Sequence, residues 1–125
     1  MNVVIMVGRL ATDPDAKQTN SGNAMTTFRL AVEREYKQEG QPDADFFRII
    51  TYGKTANNVS KYCLKGSEVA IRGRIQTGSY KTKDGETRYT TDIIADRVKF
   101  IGGRKEKRSE YEGFEEFDDG DDFPF

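Results

Sequence analysis

Residues 45–73, DFFRIITYGKTANNVSKYCLKGSEVAIRG, decide the fold, because a strand, a helix and another strand follow one another with almost no linker. Asp45–Tyr52 is rich in β-branched and aromatic residues and predicts a strand. Lys54–Leu64 predicts a helix, since three apolar residues share one face at helical spacing: Ala56, Val59 and Cys63. Gly66 is placed as the C-terminal cap of that helix.

A long hairpin is predicted after the helix. Its strands cover residues 67–82 and 87–101 and flank Lys83-Asp84-Gly85-Glu86, where Asp-Gly is a strong hairpin signal. Upstream of the quoted stretch, strands are predicted at Asn2–Leu10 and Met25–Glu35, separated by a polar loop over residues 13–24.

The resulting order is three strands, one helix and two strands. This order is typical of the OB-fold, a five-stranded, partly open Greek-key barrel. We therefore predict an all-β chain whose single short helix lies between predicted strands three and four.

Charge is distributed unevenly along the chain. Residues 109–125 contain 8 acids and no base, so the remaining 13 acids and all 20 bases give residues 1–108 a net charge of +7. A basic body favours a polyanionic partner, whereas an aspartate-rich tail does not fold on itself.

Composition limits the chemistry that is available. The chain has no histidine and one cysteine, which leaves no residues for a zinc site, a His-based catalytic centre or an intrachain disulfide. No apolar stretch has the length of a signal peptide or a membrane span. We predict a non-enzymatic protein without a cofactor. A nuclease with Mg²⁺ held by two aspartates is the weak alternative, using Asp13 with Asp15 or Asp92 with Asp96.

Alternation assigns aromatic and basic side chains to outward faces. In predicted strand three, Phe46, Arg48, Ile50 and Tyr52 share one face, so that one of Phe46 and Phe47 is exposed. In predicted strand four, Val69, Ile71 and Ile75 are expected to face the core. The opposite face of that strand is expected to carry Ala70, Arg72, Arg74, Gln76 and Tyr80.

Exposed rings among cations suit single-stranded nucleic acid, because unpaired bases stack on aromatic faces while phosphates contact Lys and Arg. Stacking depends little on base identity, so binding of this kind tolerates sequence. Base stacking alone does not separate DNA from RNA, and an RNA-binding OB module stays open as an alternative. A further alternative is an adapter in which the barrel only supports the tail.

The chain resembles the bacterial single-stranded DNA-binding proteins over about residues 1–102. The firmest stretches are VGRLATDPDAK, FFRIITYGKTANNVSKYCLKGS, RGRIQTGSY and DGETRYTTDIIAD. The resemblance implies stacking roles for Tyr36, Phe46, Tyr52 and Tyr80. It implies phosphate contacts for Lys17, Arg48, Lys54, Lys65 and Arg88, and alternation adds Arg72 and Arg74. Many relatives carry tryptophan at three of the stacking positions, whereas this chain has none.

The resemblance also gives the tail a role. Family members end in an acidic tip that closes on a hydrophobic residue, proline and phenylalanine. The matching residues here are Asp121, Asp122, Phe123, Pro124 and Phe125. We therefore expect an OB domain over residues 1–102, a short charged linker over 103–117, and a tip over 118–125 that recruits replication, recombination and repair proteins.

The first strand is apolar on both faces, with Val3, Ile5 and Val7 on one side and Val4 and Met6 on the other. A barrel buries only one face of a strand, so a second subunit or another part of the chain must cover the other. The resemblance implies a homotetramer.

The single cysteine fits a reducing cytoplasm, and a DNA partner implies association with the nucleoid.

Overall fold

The computed structural model describes residues 1–103, which form one sheet of six strands closed by one helix. The elements are β1 Val4–Leu10, β2 Asp15–Gln18, β3 Ala24–Glu33, β4 Ala44–Tyr52, α1 Gly53–Tyr62, β5 Glu68–Lys81 and β6 Thr87–Gly102. The predicted tail and most of the predicted linker lie outside the described residues.

The strands β1, β3, β4, β6 and β5 close into a barrel. Neighbours in the sheet follow the order β1-β5-β6-β4-β3-β2, and a pairing of β1 with β3 at Arg9 and Leu10 completes the ring. All pairings are antiparallel except β4 with β6. The predicted all-β OB-fold with one helix between predicted strands three and four is confirmed.

The short strand β2 corrects the prediction of a polar loop over residues 13–24. Asp15–Gln18 pairs antiparallel with Thr27–Ala24 of β3, at the part of the β3 edge that β1 leaves free. All four β2 residues are exposed, so no hydrophobic alternation marks them as a strand in the sequence. Backbone pairing with β3 alone defines this element.

The core lies inside the barrel and beneath α1. Phe28 and Leu30 of β3 are buried with Val69 and Ile71 of β5, and Val32 packs against them. For Val69 and Ile71 this is the side that alternation predicts. The helix seals one end of the barrel with a set of three buried residues, Ala56, Val59 and Cys63. Thr26 fixes this seal, since its hydroxyl lies 3.0 Å from the Ala56 carbonyl oxygen and 2.8 Å from the Ser60 hydroxyl.

The helix ends earlier than the sequence predicts. Its C-cap is Cys63, in an extended conformation, so Gly66 is not the cap. The extended backbone allows the Cys63 side chain to enter the core, and Gly66 instead lies in the turn that leads to β5, with φ +96°. At the other end, Gly53 has φ +64°, which lets the chain pass from β4 into α1 without a linker.

Beyond Gly73, the β5–β6 hairpin projects past the barrel; we call residues 74–92 the arm. The strand β1 pairs with β5 only up to Gly73, and β4 pairs with β6 only from Asp92 onwards. Neither sheet neighbour therefore follows the hairpin outward. Ile75, predicted to face the core, is 42 % exposed for this reason. It remains on the core side of the strand, opposite the buried Ile93.

A bulge separates the arm from the barrel. Arg72 pairs with Arg97 and Gly73 with Ala95, so Asp96 is the extra residue on β6. A Cβ atom on Gly73 would overlap the carbonyl oxygen of Ile94. Only glycine therefore permits the close approach of the two strands at this point.

Candidate nucleic-acid interface

The outward face of β4 carries two rings with a cation between them. Phe46 is 53 % exposed and Tyr52 is 47 % exposed, and Arg48 between them is exposed as well. Phe47 instead packs against the core, which confirms that one of the two adjacent phenylalanines faces outward. Ile50 belongs to the same outward row but is buried, so the row is interrupted by one apolar position.

Arg48 lies in a row of polar residues that crosses the sheet. Its register partners are Arg29 on β3 and Asp92 on β6, and Asp92 in turn faces Gln76 on β5. The Arg48 Nη1 atom lies 3.4 Å from Asp92 Oδ2. The Asp92 side chain is only 18 % exposed, whereas the Arg48 side chain is 48 % exposed. Asp92 therefore positions the guanidinium of Arg48 and leaves it accessible to solvent.

The arm continues the same outward face. Tyr80, which is 57 % exposed, pairs in register with Arg88, and Arg88 forms an ion pair of 3.2 Å with Glu86. Arg74 faces Ile94, the register partner of the buried Ile50. The outward residues of β4, β6 and β5 therefore form one surface from Phe46 to Tyr80.

A shallow cavity of about 280 Å³ opens beside the bulge, where Arg72 and Arg74 lie with Asp96. Arg72 forms an ion pair of 3.4 Å with Asp96. Within residues 1–103, Arg74 has no ion pair. The two arginines predicted from alternation are thus brought together on one side of β5.

Tyr36 lies apart from this surface, in the loop between β3 and β4, and is 85 % exposed. Arg34 and Asp45 close the base of that loop with a contact of 2.7 Å. The hydrogen bond from Arg34 lowers the pKa of Asp45, and the same contact raises the pKa of Arg34. This pair fixes where the loop leaves the sheet and thereby where Tyr36 can reach.

Three predicted lysines lie on other elements. Lys17 on β2 faces Met25, which faces Tyr52, so a row connects this lysine to a predicted stacking ring. Lys54 is exposed at the start of α1. Lys65 lies in the α1–β5 connection, where its N–H donates to Asp13 Oδ1 at 2.8 Å, outside the strands that carry the rings.

Sequence reasoning missed Tyr89, which is 81 % exposed on β6. Alternation places it opposite the face of Arg88, and therefore on the core side of the strand. The arm has no core side, because it extends past the barrel. The hairpin strands are predicted to be longer than the first strand, which signals an overhang but not the residue at which it begins.

The four aspartates of the nuclease alternative have other contacts. Asp15 pairs with Lys17 at 3.4 Å, Asp92 with Arg48, and Asp96 with Arg72, while Asp13 accepts the Lys65 N–H. Among the described residues, no group of three carboxylate or thiol ligands could hold a metal ion.

One apolar stripe remains on the outer face of β1. Val3, Ile5 and Val7 are all exposed, whereas Val4 and Met6 on the other face pack against the core. The described residues therefore leave uncovered the second face that the sequence identifies. Across residues 1–103, α1 is too short and too polar to cross a membrane.

Similarity to known proteins agrees with this geometry. The model of the "Single-strand binding protein family" matches residues 1–101. The chain belongs to this family. Its relatives include the "Single-stranded DNA-binding protein" of Clostridium tetani, 44 % identical over 94 % of this chain and 82 % of the relative. "Single-stranded DNA-binding protein 2" of Clostridium acetobutylicum is 45 % identical over 88 % and 84 %.

A relative from a different genus shows the same similarity. The "Single-stranded DNA-binding protein" of Bacillus cereus is 44 % identical over 83 % of this chain and 62 % of its own length. The resemblance drawn from the sequence is therefore confirmed. Membership of this single-strand binding family also supports the prediction that the chain is a binding protein rather than an enzyme.

Proposed function

We propose that this chain binds single-stranded DNA with little regard to sequence and coats exposed strands during replication, recombination and repair. The observation that carries the proposal is the outward row of Phe46, Arg48 and Tyr52 on β4, continued by Tyr80 and Arg88 on the arm. Family membership, and the names of the relatives, support single-stranded DNA as the ligand.

Base stacking provides the tolerance to sequence. Phe46, Tyr52 and Tyr80 offer ring faces that any base can cover, and Tyr36 adds one from its loop. A stacked base contributes roughly 1–3 kcal/mol by alanine substitution. Bases in a duplex are already stacked and paired, so duplex DNA cannot use these rings.

Phosphate contacts supply the electrostatic part of the affinity. Arg48, Arg72 and Arg88 each pair with a carboxylate at 3.2–3.4 Å in this structure. Surface ion pairs contribute only about 0–1 kcal/mol, so a phosphate can replace the carboxylate at little cost. Arg74 and Lys65, which have no ion pair within residues 1–103, are available without such an exchange.

Fluorescence anisotropy with labelled oligomers tests the proposal. We expect tight binding of oligo-dT and weak binding of duplex DNA. The logarithm of the affinity should fall linearly with the logarithm of the salt concentration, because binding releases counterions from the DNA. Preference for oligo-rU over oligo-dT would favour the RNA-binding module. Absence of binding to all three would favour the adapter and contradict the proposal.

Variants separate stacking from charge. Phe46→Ala or Tyr80→Ala should weaken oligo-dT binding while leaving the salt dependence almost unchanged, since no charge is lost. Arg48→Ala should reduce the slope of log affinity against log salt by about 1, which corresponds to the loss of one phosphate contact. Lys61→Ala is the matched control, because Lys61 lies over the Tyr62 ring on α1 and away from the sheet face.

We also propose that the tip, residues 118–125, docks on partner proteins of replication, recombination and repair, through a linker over residues 103–117. The Phe123 and Phe125 rings suit an apolar pocket on the partner. Pro124 restricts the chain and lowers the ordering cost of docking. Asp121 and Asp122 would steer the approach to a basic rim.

The acidic tip would also compete with DNA for the basic body. Removing Asp118–Phe125 is then expected to tighten oligo-dT binding at low salt, with the difference fading as salt screens the charges. Equal affinities of full-length and truncated chains across the salt series would refute this competition.

For assembly we propose a homotetramer in which a second copy covers the β1 stripe of Val3, Ile5 and Val7. Three exposed apolar residues in a row on one strand form the kind of patch that protein association buries. Light scattering should give a mass above the monomer, and Ile5→Asp should lower it. Tyr36→Asp, at an exposed ring in the β3–β4 loop, is the control. A monomer mass for the unmodified chain at micromolar concentration would refute this assembly.

The proposed location is the cytoplasm, in association with the nucleoid.

A further inference from the structure

The arm has two solvent-exposed faces. The outward face, with Tyr80 and Arg88, continues the surface described above. The reverse face is formed by the alternate residues of both strands, paired as Ile75 with Ile93, Thr77 with Thr91, Ser79 with Tyr89, and Lys81 with Thr87. Within the barrel this side of the sheet is the core, and Ile93 is still buried there, but the other residues of the reverse face are exposed.

Tyr89 is the most prominent residue of the reverse face. Its side chain is 81 % exposed and makes no hydrogen bond or ring contact with any other described residue. Its register partner is Ser79, and Lys81 is its diagonal neighbour, within reach of a long side chain. Lys81 likewise has no ion pair in the described part of the chain.

These neighbours indicate the kind of ligand. A protein partner would require a continuous apolar patch, but the pair Thr77–Thr91 separates Tyr89 from the half-exposed Ile75. A free ring with a cation at diagonal distance and hydroxyls around it can instead stack one base and hold the neighbouring phosphate. This is the same combination that Tyr80 and Arg88 present on the outward face.

The two rings lie close along the arm. Tyr80 and Tyr89 belong to adjacent register pairs, Tyr80–Arg88 and Ser79–Tyr89, so they are separated along the strands by a single residue step of about 3.4 Å and lie on opposite faces. Both outer edges of the arm lack a strand partner over residues 76–81 and 87–91. A bound strand can therefore pass over an edge from one face to the other.

We infer that the reverse face of the arm, centred on Tyr89 and Lys81, is a second single-stranded DNA track, which a strand enters after it has filled the outward face. This inference rests on the proposed function, because the outward face must bind DNA first. It assigns Tyr89 as an additional stacking residue and Lys81 as an additional phosphate contact. It predicts that a longer strand wraps around the arm rather than ending at Tyr80.

Oligomer length separates the two faces. A short labelled oligo-dT, within the roughly 4–16 nucleotides that one OB-fold covers, should occupy the outward face, where more rings are available. An oligomer several times longer should reach the reverse face. Tyr89→Ala should leave the short oligomer unaffected and weaken the long one by about 5- to 150-fold, the equivalent of one stacked base.

Three control variants accompany Tyr89→Ala. Tyr89→Phe keeps the ring and should bind the long oligomer like the unmodified chain. Thr91→Ala alters the same face without removing a ring and should have no effect. Tyr80→Ala should weaken both lengths. Because Tyr89 is exposed, thermal unfolding of all variants should remain that of the unmodified chain.

The outcomes distinguish the inference from the proposed function. If the unmodified chain binds no oligo-dT, the proposed function fails. If it binds, and Tyr89→Ala matches it at both lengths, the second track is refuted while the outward site stands. Equal weakening at both lengths would place Tyr89 in the first track and refute the inference. A change in light-scattering mass without a change in DNA affinity would assign the ring to a second copy and would also overturn it.

Discussion

The strands β5 and β6 pass through two environments, and the contrast between them explains how this protein separates stability from binding. Their inner halves lie in the barrel, where Val69, Ile71 and Val98 are buried between β1, β4 and α1. Their outer halves form the arm, where the same alternation continues with both faces in solvent. One pleated hairpin thus contributes to the core at one end and presents ligand-binding side chains at the other.

The largest expected difference between the two regions is in packing. Ile71 and Ile75 lie on the same face of β5, but Ile71 is 1 % exposed and Ile75 is 42 % exposed. Ile71→Ala should lower the free energy of unfolding by about 2–5 kcal/mol through the cavity it leaves. Ile75→Ala should change it by only about 0.5 kcal/mol. Chemical denaturation of both variants measures this; comparable losses would mean that the arm is packed like the barrel.

Thiol reactivity sharpens the same contrast. Burial raises the pKa of Cys63 to about 12, against 9.0 for an ordinary thiol. At neutral pH its thiolate population is therefore about a thousandfold lower than that of an exposed cysteine, since each pH unit is a factor of ten. A chromogenic disulfide reagent should label Ser79→Cys on the arm quickly and Cys63 only after unfolding.

The sign of the associated pH effect follows from the raised pKa. The folded state holds the Cys63 proton more tightly than the unfolded state, so its contribution to stability is complete below pH 9 and is lost as the pH rises towards 12. The Cys63→Ser variant should lack this alkaline component. Rapid labelling of native Cys63 at neutral pH would contradict the buried position.

Glycine replacements compare the bulge with the arm. Gly73→Ala places a Cβ against the Ile94 backbone and should cost about 1–3 kcal/mol, because neither strand can retreat. Gly78→Ala on the arm meets only the Thr90 hydroxyl, at 3.0 Å, which can rotate away. Thermal unfolding should separate the two variants clearly. Equal stabilities would show that the strands at the bulge can separate without cost.

Acid removal compares one ion pair at the barrel with one on the arm. Asp92→Asn removes the ion-pair partner of Arg48, and Glu86→Gln removes that of Arg88. Each substitution raises the net charge of the body by one. Both should tighten oligo-dT binding by about 0.2–1 kcal/mol. We expect the larger effect for Asp92, because its carboxylate is the less exposed one. Weaker binding after Asp92→Asn would mean that Asp92 positions Arg48 for DNA.

The smallest expected effect concerns the loop that carries Tyr36. Arg34 lowers the pKa of Asp45 in the folded chain, so the pair adds stability above the unfolded carboxyl's value of 3.8. That contribution is lost as the pH falls through the lowered folded value. Asp45→Asn should be slightly less stable than the unmodified chain at neutral pH and equal to it in strong acid. A stability difference that persists in acid would refute this origin.

The residue pattern alone predicts the barrel and most of its outward face. The period-two alternation groups Phe46, Arg48 and Tyr52 on one face of β4, and it separates Val69 and Ile71 from Arg74 and Tyr80 on β5, because a pleated strand has only two sides. The helical spacing of Ala56, Val59 and Cys63 identified the seal. The side of a strand or helix on which these residues lie follows from local backbone geometry, so the pattern of one chain segment is enough to predict it.

The point at which a strand face becomes exposed to solvent depends on the fold and not on the residue pattern. Nothing in the run from Glu68 to Lys81 marks the point at which β1 stops and the arm begins, so alternation places Ile75 in the core and does not reveal the exposed Tyr89. The strand Asp15–Gln18 forms because β3 has a free edge with which it can pair. The ion pairs of Arg48 and Arg72 are formed with Asp92 and Asp96, which lie 44 and 24 positions further along the chain. Burial and pairing are properties of neighbours brought from elsewhere in the chain, and their extent is set by how far each neighbouring strand runs.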